Sequence, residues 1–202
     1  MGAPPIQFFY GIGSRYSYLA STQLGGLESA TGRTVRWRPL YSGDLFAARG
    51  RNPFDGSPLS EQYDWSYRRL DAERWAAYYG VPYREPEGVR FDPRRLAIVC
   101  TAADRQGAIA PFSRRLFQAI FIDGDRMIDD AACKRFAVDA GLSPVVFARA
   151  LEEPATAAAL AATLEEALAA GIFGVPSFVV DGRVFFGNDR LPLVRHYALK
   201  ET

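Results

Sequence analysis

Ile6-Gln7-Phe8-Phe9-Tyr10, Gly11-Ile12-Gly13 and Ser14-Arg15-Tyr16-Ser17-Tyr18-Leu19 run consecutively near the start of the chain. The first five residues are a short apolar run dominated by aromatics, which predicts a buried strand. Two glycines break it. From Ser14 onward the apolar positions Tyr18, Leu19, Leu24 and Leu27 suit a helix ending near Gly32. Thr34 to Leu40 then returns to an extended pattern, with Val35 and Trp37 alternating between arginines. The opening therefore reads as strand, helix, strand, with Ser14 at the first helix's start.

Downstream the character changes. Tyr41 to Ser60 is rich in Gly, Pro and Asn and reads as a long loop, and Ser60-Glu61-Gln62 looks like a helix start before Tyr63, Tyr67, Leu70, Arg74 and Trp75. That helix should stop at Gly80-Val81-Pro82. Asp92-Pro93, Pro111 to Ile122, Asp129 to Ala140 and Ser143-Pro144 mark further helices, so residues 41–153 read as a mainly helical insert. Pro154 to Ala170 is an alanine-rich helix ending at Gly171. Ser177 to Val180 and Val184 to Phe186 flank Asp181-Gly182, a strong hairpin signal, and Asn188-Asp189 caps a last helix. Residues 1–40 and 154–202 together make one α/β domain around the insert.

Composition narrows the function classes. The 202 residues are 49% hydrophobic, enough for a sizeable core, and the net charge of +1 supplies no basic field for nucleic acid. No apolar run approaches the length of a membrane span, and the first residues lack a signal-peptide pattern, so a cytoplasmic protein is expected. The two cysteines, Cys100 and Cys133, have neither redox-motif nor metal-ligand spacing, and core packing is the expectation for both. With His196 as the single histidine, neither a zinc site nor a Ser-His-Asp triad is expected. Lys134 and Lys200 are the only lysines; arginine, with its planar permanent charge, supplies the other cations.

Ser14 and Ser17 have the spacing of a C-x-x-C pair, but neither can form a disulfide. A helix N-terminus carries unpaired N–H groups and a positive dipole end, so a thiolate held there is stabilised, and the Ser14 hydroxyl can donate to it. Local sequence alone equally allows Ser14 to be a plain helix cap. The second signal is Gly174-Val175-Pro176-Ser177-Phe178, just before the hairpin. The dipeptide alone predicts a trans bond. In a thioredoxin-like arrangement, however, a cis Val175-Pro176 bond beside the first helix leaves the Val175 N–H and C=O free for an extended peptide.

Four segments in register then resemble one family: Ser14 to Leu19, Asp71-x-x-Arg74-Trp75, Gly174 to Phe178, and Phe186-Gly187-Asn188-Asp189-Arg190-Leu191. Together they are similar to the 2-hydroxychromene-2-carboxylate isomerases, close to the kappa-class glutathione transferases within the DsbA-like thioredoxin superfamily. The resemblance implies a DsbA-like fold with a helical insert, a homodimer, glutathione as cofactor and a small aromatic acid as substrate. It implies Ser14 as the thiol-activating serine. It also implies Val175 and Pro176 as the backbone site for the cysteinyl unit, and Asn188 and Asp189 as the receptors of the γ-glutamyl end. Tyr16 and the loop residue Asn52 join the cofactor set.

Two positions depart from the family pattern. Arg15 stands where relatives commonly have proline, and is expected to reach the substrate's carboxylate. A family lysine of the insert has no counterpart before Lys134, so Arg49, Arg51, Arg68 or Arg69 is left to supply its charge. Three activities remain open: the isomerase, a kappa-type transferase that consumes glutathione, and a non-catalytic thioredoxin-like binding module.

Overall fold

Strand β1 (Ile6–Tyr10) lies inside a sheet with β2 (Val35–Pro39) on one side and β3 (Ser177–Val180) on the other, and β4 (Arg183–Phe186) at the edge beyond β3. The computed structural model describes residues 3–50, 64–88 and 91–200. β1 pairs parallel with β2 and antiparallel with β3, and β3 pairs antiparallel with β4. The parallel pair needs a crossover, supplied by α1 (Arg15–Thr22) and α2 (Leu24–Thr31). This is the thioredoxin-like fold that the sequence led us to expect.

Alternation along β1 serves two cores. Phe8 and Tyr10 face one side, where their rings and those of Trp37 and Phe178 meet with centroids 5.2 or 5.3 Å apart. Phe9 faces the other and packs with Leu40, Leu45, Ala167 and Ile172. All three β1 aromatics are buried. Truncating any one to alanine would cost about 3–5 kcal/mol.

The single first helix expected from the sequence is two. The Ser21 and Thr22 hydroxyls donate back to the carbonyls of Tyr18 and Leu19 at 2.6 and 2.7 Å, competing with the helical ladder. Gln23 forms the joint, and α2 ends at Gly32 in the left-handed conformation. A second correction is α3 (Ser42–Ala48), which occupies part of the expected loop. Its Leu45 is fully buried beneath β1, and that burial overrides the glycine and polar composition around it.

Beyond it, Asp64 caps α4 (Trp65–Tyr79), accepting from the amides of Ser66 and Tyr67 at 2.7 and 3.0 Å, and Gly80 closes it. The expected start at Ser60-Glu61-Gln62 lies outside the described residues. Then come α5 (Pro93–Asp104), α6 (Ile109–Gln118) running into a π-helical turn (Ala119–Asp123), α7 (Asp130–Asp139) and α8 (Pro144–Glu152). Asp92, Asp129 and Ser143 cap α5, α7 and α8 as their sequence positions predict. α9 (Pro154–Ala169) leads to the hairpin, whose Asp181 and Gly182 both have positive φ, as a tight Asp-Gly turn requires. A 3-10 turn (Asn188–Arg190) precedes α10 (Leu191–Ala198). The expected last helix thus begins one turn later than Asn188.

Long-range ion pairs hold this frame. The Arg33 guanidinium donates to both Asp181 oxygens at 2.9 and 2.8 Å and to the Pro4 carbonyl at 2.7 Å, tying the hairpin turn to the segment entering β2. Two arginines of the insert are likewise committed: Arg95 pairs with Asp130 at 2.6 Å, and Arg115 with Asp139 at 3.1 Å. Arg114 lies over the Trp37 ring. Cys100 and Cys133 are buried core residues, and burial pushes both thiols up to about 12. Among the described residues no helix is long and apolar enough to cross a membrane.

Candidate functional site

The carboxyl end of β1 and the start of β3 lie at the same edge of the sheet, because the two strands are antiparallel. Ligands of open α/β sheets collect at such carboxyl ends. There the backbone turns through Gly11 to Gly13 into α1. Ser14 is the N-cap: its backbone is extended, and its Oγ accepts from the Ser17 amide at 3.2 Å. Ser17 is itself fully buried, and its hydroxyl accepts from the Gly11 amide at 3.3 Å. With that lone pair engaged, the Ser14 O–H is left as a donor and has no acceptor among the described residues.

Val175-Pro176 is cis. A Cβ on Gly11 would lie 3.2 Å from Val175 Cγ2, so this segment sits directly against the turn that carries Ser14. Neither the N–H nor the C=O of Val175 has a hydrogen-bond partner among the described residues. The Pro176 carbonyl accepts from the Gly187 amide at 2.9 Å, which draws the 3-10 turn to the same edge. α1 packs on that turn. Asn188 is 4% exposed, yet its Nδ2 has no partner among the described residues. A buried amide left so costs about 1–3 kcal/mol, which a bound acceptor would recover. Asp189 is exposed, with its carboxylate 3.3 Å from Arg190.

Ser14, Val175, Pro176, Asn188 and Asp189 are therefore brought together. Tyr16 is beside them, but its hydroxyl is committed to Asp71 at 2.8 Å, and its ring lies under the Arg68 guanidinium. Burial first, and the Asp71 hydrogen bond second, hold its phenol well above the usual range, so it stays a neutral donor. Arg15 is buried and paired with Glu85 at 2.6 Å, and the Tyr83 hydroxyl donates to the other Glu85 oxygen at 3.1 Å. Asn52 and Arg51 lie outside the described residues.

The sequence reading missed three supports. Glu85 neutralises Arg15, Tyr79 donates to the Asn188 carbonyl at 3.1 Å, and Ser17 braces the turn. Only Ser17 had a local signal, its place in the Ser-x-x-Ser spacing. A groove of about 1070 Å³ opens nearby between α2, α4 and α10, walled by Asp71, Arg74, Trp75, Tyr78, Tyr79 and Arg195 among others. Ser14 is not in its lining, so the groove adjoins the site without containing the serine.

An unused hydroxyl donor at a helix start, an unpaired backbone segment before a cis proline and an orphaned buried amide thus sit together on a thioredoxin-like frame, among the described residues. The sequence profile of the DSBA-like thioredoxin domain matches residues 5–198, and the chain belongs to that family. Within it, the chain is 28% identical over 195 residues to the 2-hydroxychromene-2-carboxylate isomerase of Sphingobium xenophagum, covering 96% of this chain and 97% of that one. A solved 2-hydroxychromene-2-carboxylate isomerase superposes with a TM-score of 0.82 at 23% identity, over 95% of this chain and 92% of its own. The cytosolic disulfide reductase DsbM of Pseudomonas aeruginosa, solved with GSH, superposes at 0.65 with 18% identity, over 96% and 95% of the two chains. At these identities the two structures speak for the fold.

Proposed function

We propose that the chain is a glutathione-dependent isomerase of the 2-hydroxychromene-2-carboxylate type, acting on an aromatic 2-oxo or hemiketal acid. The observation that carries this reading is the unused hydrogen-bonding capacity along one edge: Ser14 O–H, the Val175 N–H and C=O, and Asn188 Nδ2. A γ-glutamyl tripeptide offers what each lacks, namely a thiolate, an extended peptide and a terminal carboxylate. When bound, glutathione supplies a nucleophilic sulfur that can add to a conjugated carbon and leave again.

The chain's own residues do the rest. Ser14 donates to the sulfur, and the N-terminus of α1 favours its negative charge. The Val175 backbone holds the cysteinyl unit beside Pro176. Asn188 donates to the γ-glutamyl carboxylate while Asp189 takes the ammonium. Tyr16, fixed by Asp71, keeps the first turn of α1 in place, and Asn52 joins the cofactor set by its motif position. Arg15 enters as a substrate partner only in competition with Glu85, which it already meets at 2.6 Å. A cytoplasmic homodimer belongs to the same reading.

The test supplies 2-hydroxychromene-2-carboxylate with glutathione well below one equivalent. Many turnovers with the thiol fully recovered are expected. Absence of conversion contradicts the reading, and one thiol lost per product makes the protein a transferase instead.

A further inference from the structure

Two large aromatic side chains stand half in water beside the Val175 segment. Phe173 is 49% exposed and Phe186 is 42% exposed, with ring centroids 4.8 Å apart and planes at 52°. Phe186 ends β4 opposite Ser177, so it lies at the sheet edge from which α1 departs. A Cβ on Gly174 would lie 2.7 Å from Phe186 Cε2. Residue 174 is thus bare where the ring crosses the backbone, one residue before Val175. Arg49, at the end of α3, donates from Nη1 to the Ile172 carbonyl at 3.2 Å, next to Phe173. Among the described residues no carboxylate lies within ion-pair distance of it.

An aromatic face beside a guanidinium that meets no carboxylate among the described residues has the chemistry to hold a flat ring bearing a carboxylate. Arg15 cannot fill that part without displacing Glu85, and the groove beyond Asp71 does not include Ser14. The geometry points to Phe173, Phe186 and Arg49 as the contact surface for the substrate's ring and carboxylate. The rings carry the hydrophobic contact, and Arg49 fixes which end of the molecule faces α3. The inference rests on the isomerase reading for its reaction, but not for its binding step.

Binding is therefore measured directly, with coumarin-3-carboxylate as a planar bicyclic probe and coumarin as its uncharged counterpart. Wild type, Arg49→Gln, Phe186→Ala, Phe186→Tyr and the groove variant Tyr78→Ala are titrated, and glutathione affinity is measured for each by calorimetry. Arg49→Gln should weaken the carboxylate probe about tenfold or more and leave coumarin unchanged, the loss expected for a charged hydrogen bond. Phe186→Ala should weaken both probes, Phe186→Tyr should restore them, and Tyr78→Ala should change neither.

Equal probe affinity in wild type, Arg49→Gln and Phe186→Ala overturns the assignment. So does a loss confined to Tyr78→Ala, which would place the ring in the groove. Glutathione affinity that falls with Arg49→Gln as far as probe affinity also overturns it, since Arg49 would then hold the tripeptide's glycyl carboxylate. Failure of wild type to bind glutathione would sink the isomerase reading alone, because the probe titrations still decide the surface.

Discussion

The Ser17 amide donates to the Ser14 hydroxyl at 3.2 Å while the Ser17 hydroxyl receives the Gly11 amide at 3.3 Å, so one buried residue closes the turn that presents Ser14. Replacing Ser17 with alanine keeps the first bond and orphans the buried Gly11 N–H. A loss of about 1–3 kcal/mol in stability is expected. Denaturant unfolding checks that figure. Turnover should fall with it while glutathione affinity stays near wild type, because Val175 and Asn188 are untouched.

Gly187 adopts φ 115°, and a Cβ there would run into Asp189 Oδ1. Gly187→Ala should therefore cost about 1–3 kcal/mol of backbone strain. By displacing Asp189 and Asn188, it should also weaken glutathione binding about tenfold or more, since charged hydrogen bonds are lost. Calorimetry against a γ-glutamyl-free control peptide separates the two effects: affinity for the control should fall far less.

Cys100 and Cys133 are buried, with thiols pushed up to about 12, which leaves almost no thiolate at neutral pH. A thiol reagent applied to the native protein should modify neither and leave turnover intact. Both should react after unfolding. Rapid labelling of the folded chain with loss of activity would bring the cysteines back into the chemistry.

Arg33 holds the Asp181 carboxyl below the usual carboxylate range, chiefly through their hydrogen bonds. A lowered folded-state pKa means that this stabilisation is fully present above about pH 4, the unfolded value, and drains away as pH falls through the folded one. Asp181→Asn should flatten that acid limb. At neutral pH, losing these charged hydrogen bonds should cost about 1–3 kcal/mol. Unfolding free energies measured from neutral to acid pH test both statements.

Much of this arrangement is legible in the sequence, wherever the signals are local. The aromatic run of β1, the glycines after it, the Asp-Gly hairpin and the caps Asp92, Asp129 and Ser143 all act over a few residues. What escaped is set by distance. The pairing of Arg15 with Glu85 spans seventy residues and depends on how the chain after α4 returns across α1. Leu45 makes α3 a helix only because Phe9 and Ile172 wait beneath it. The break after Thr22 was nearer to hand, since consecutive Ser and Thr hydroxyls can bond back to their own helix. The site is likewise half legible: Ser14, Val175 and Asn188 stand in motifs, whereas only the fold shows that their spare donors and acceptors share one edge.

The central claim is that Ser14 stabilises a bound thiolate. Its most direct test is the titration of glutathione's thiol on wild type and on Ser14→Ala, followed by thiolate absorbance at saturating cofactor. On wild type the thiol should ionise about one pH unit or more below the free value of about 8.5. On Ser14→Ala it should return toward the free value, and turnover should drop at least about tenfold, in step with the lost thiolate fraction. Identical titration curves and rates for the two proteins would contradict the account.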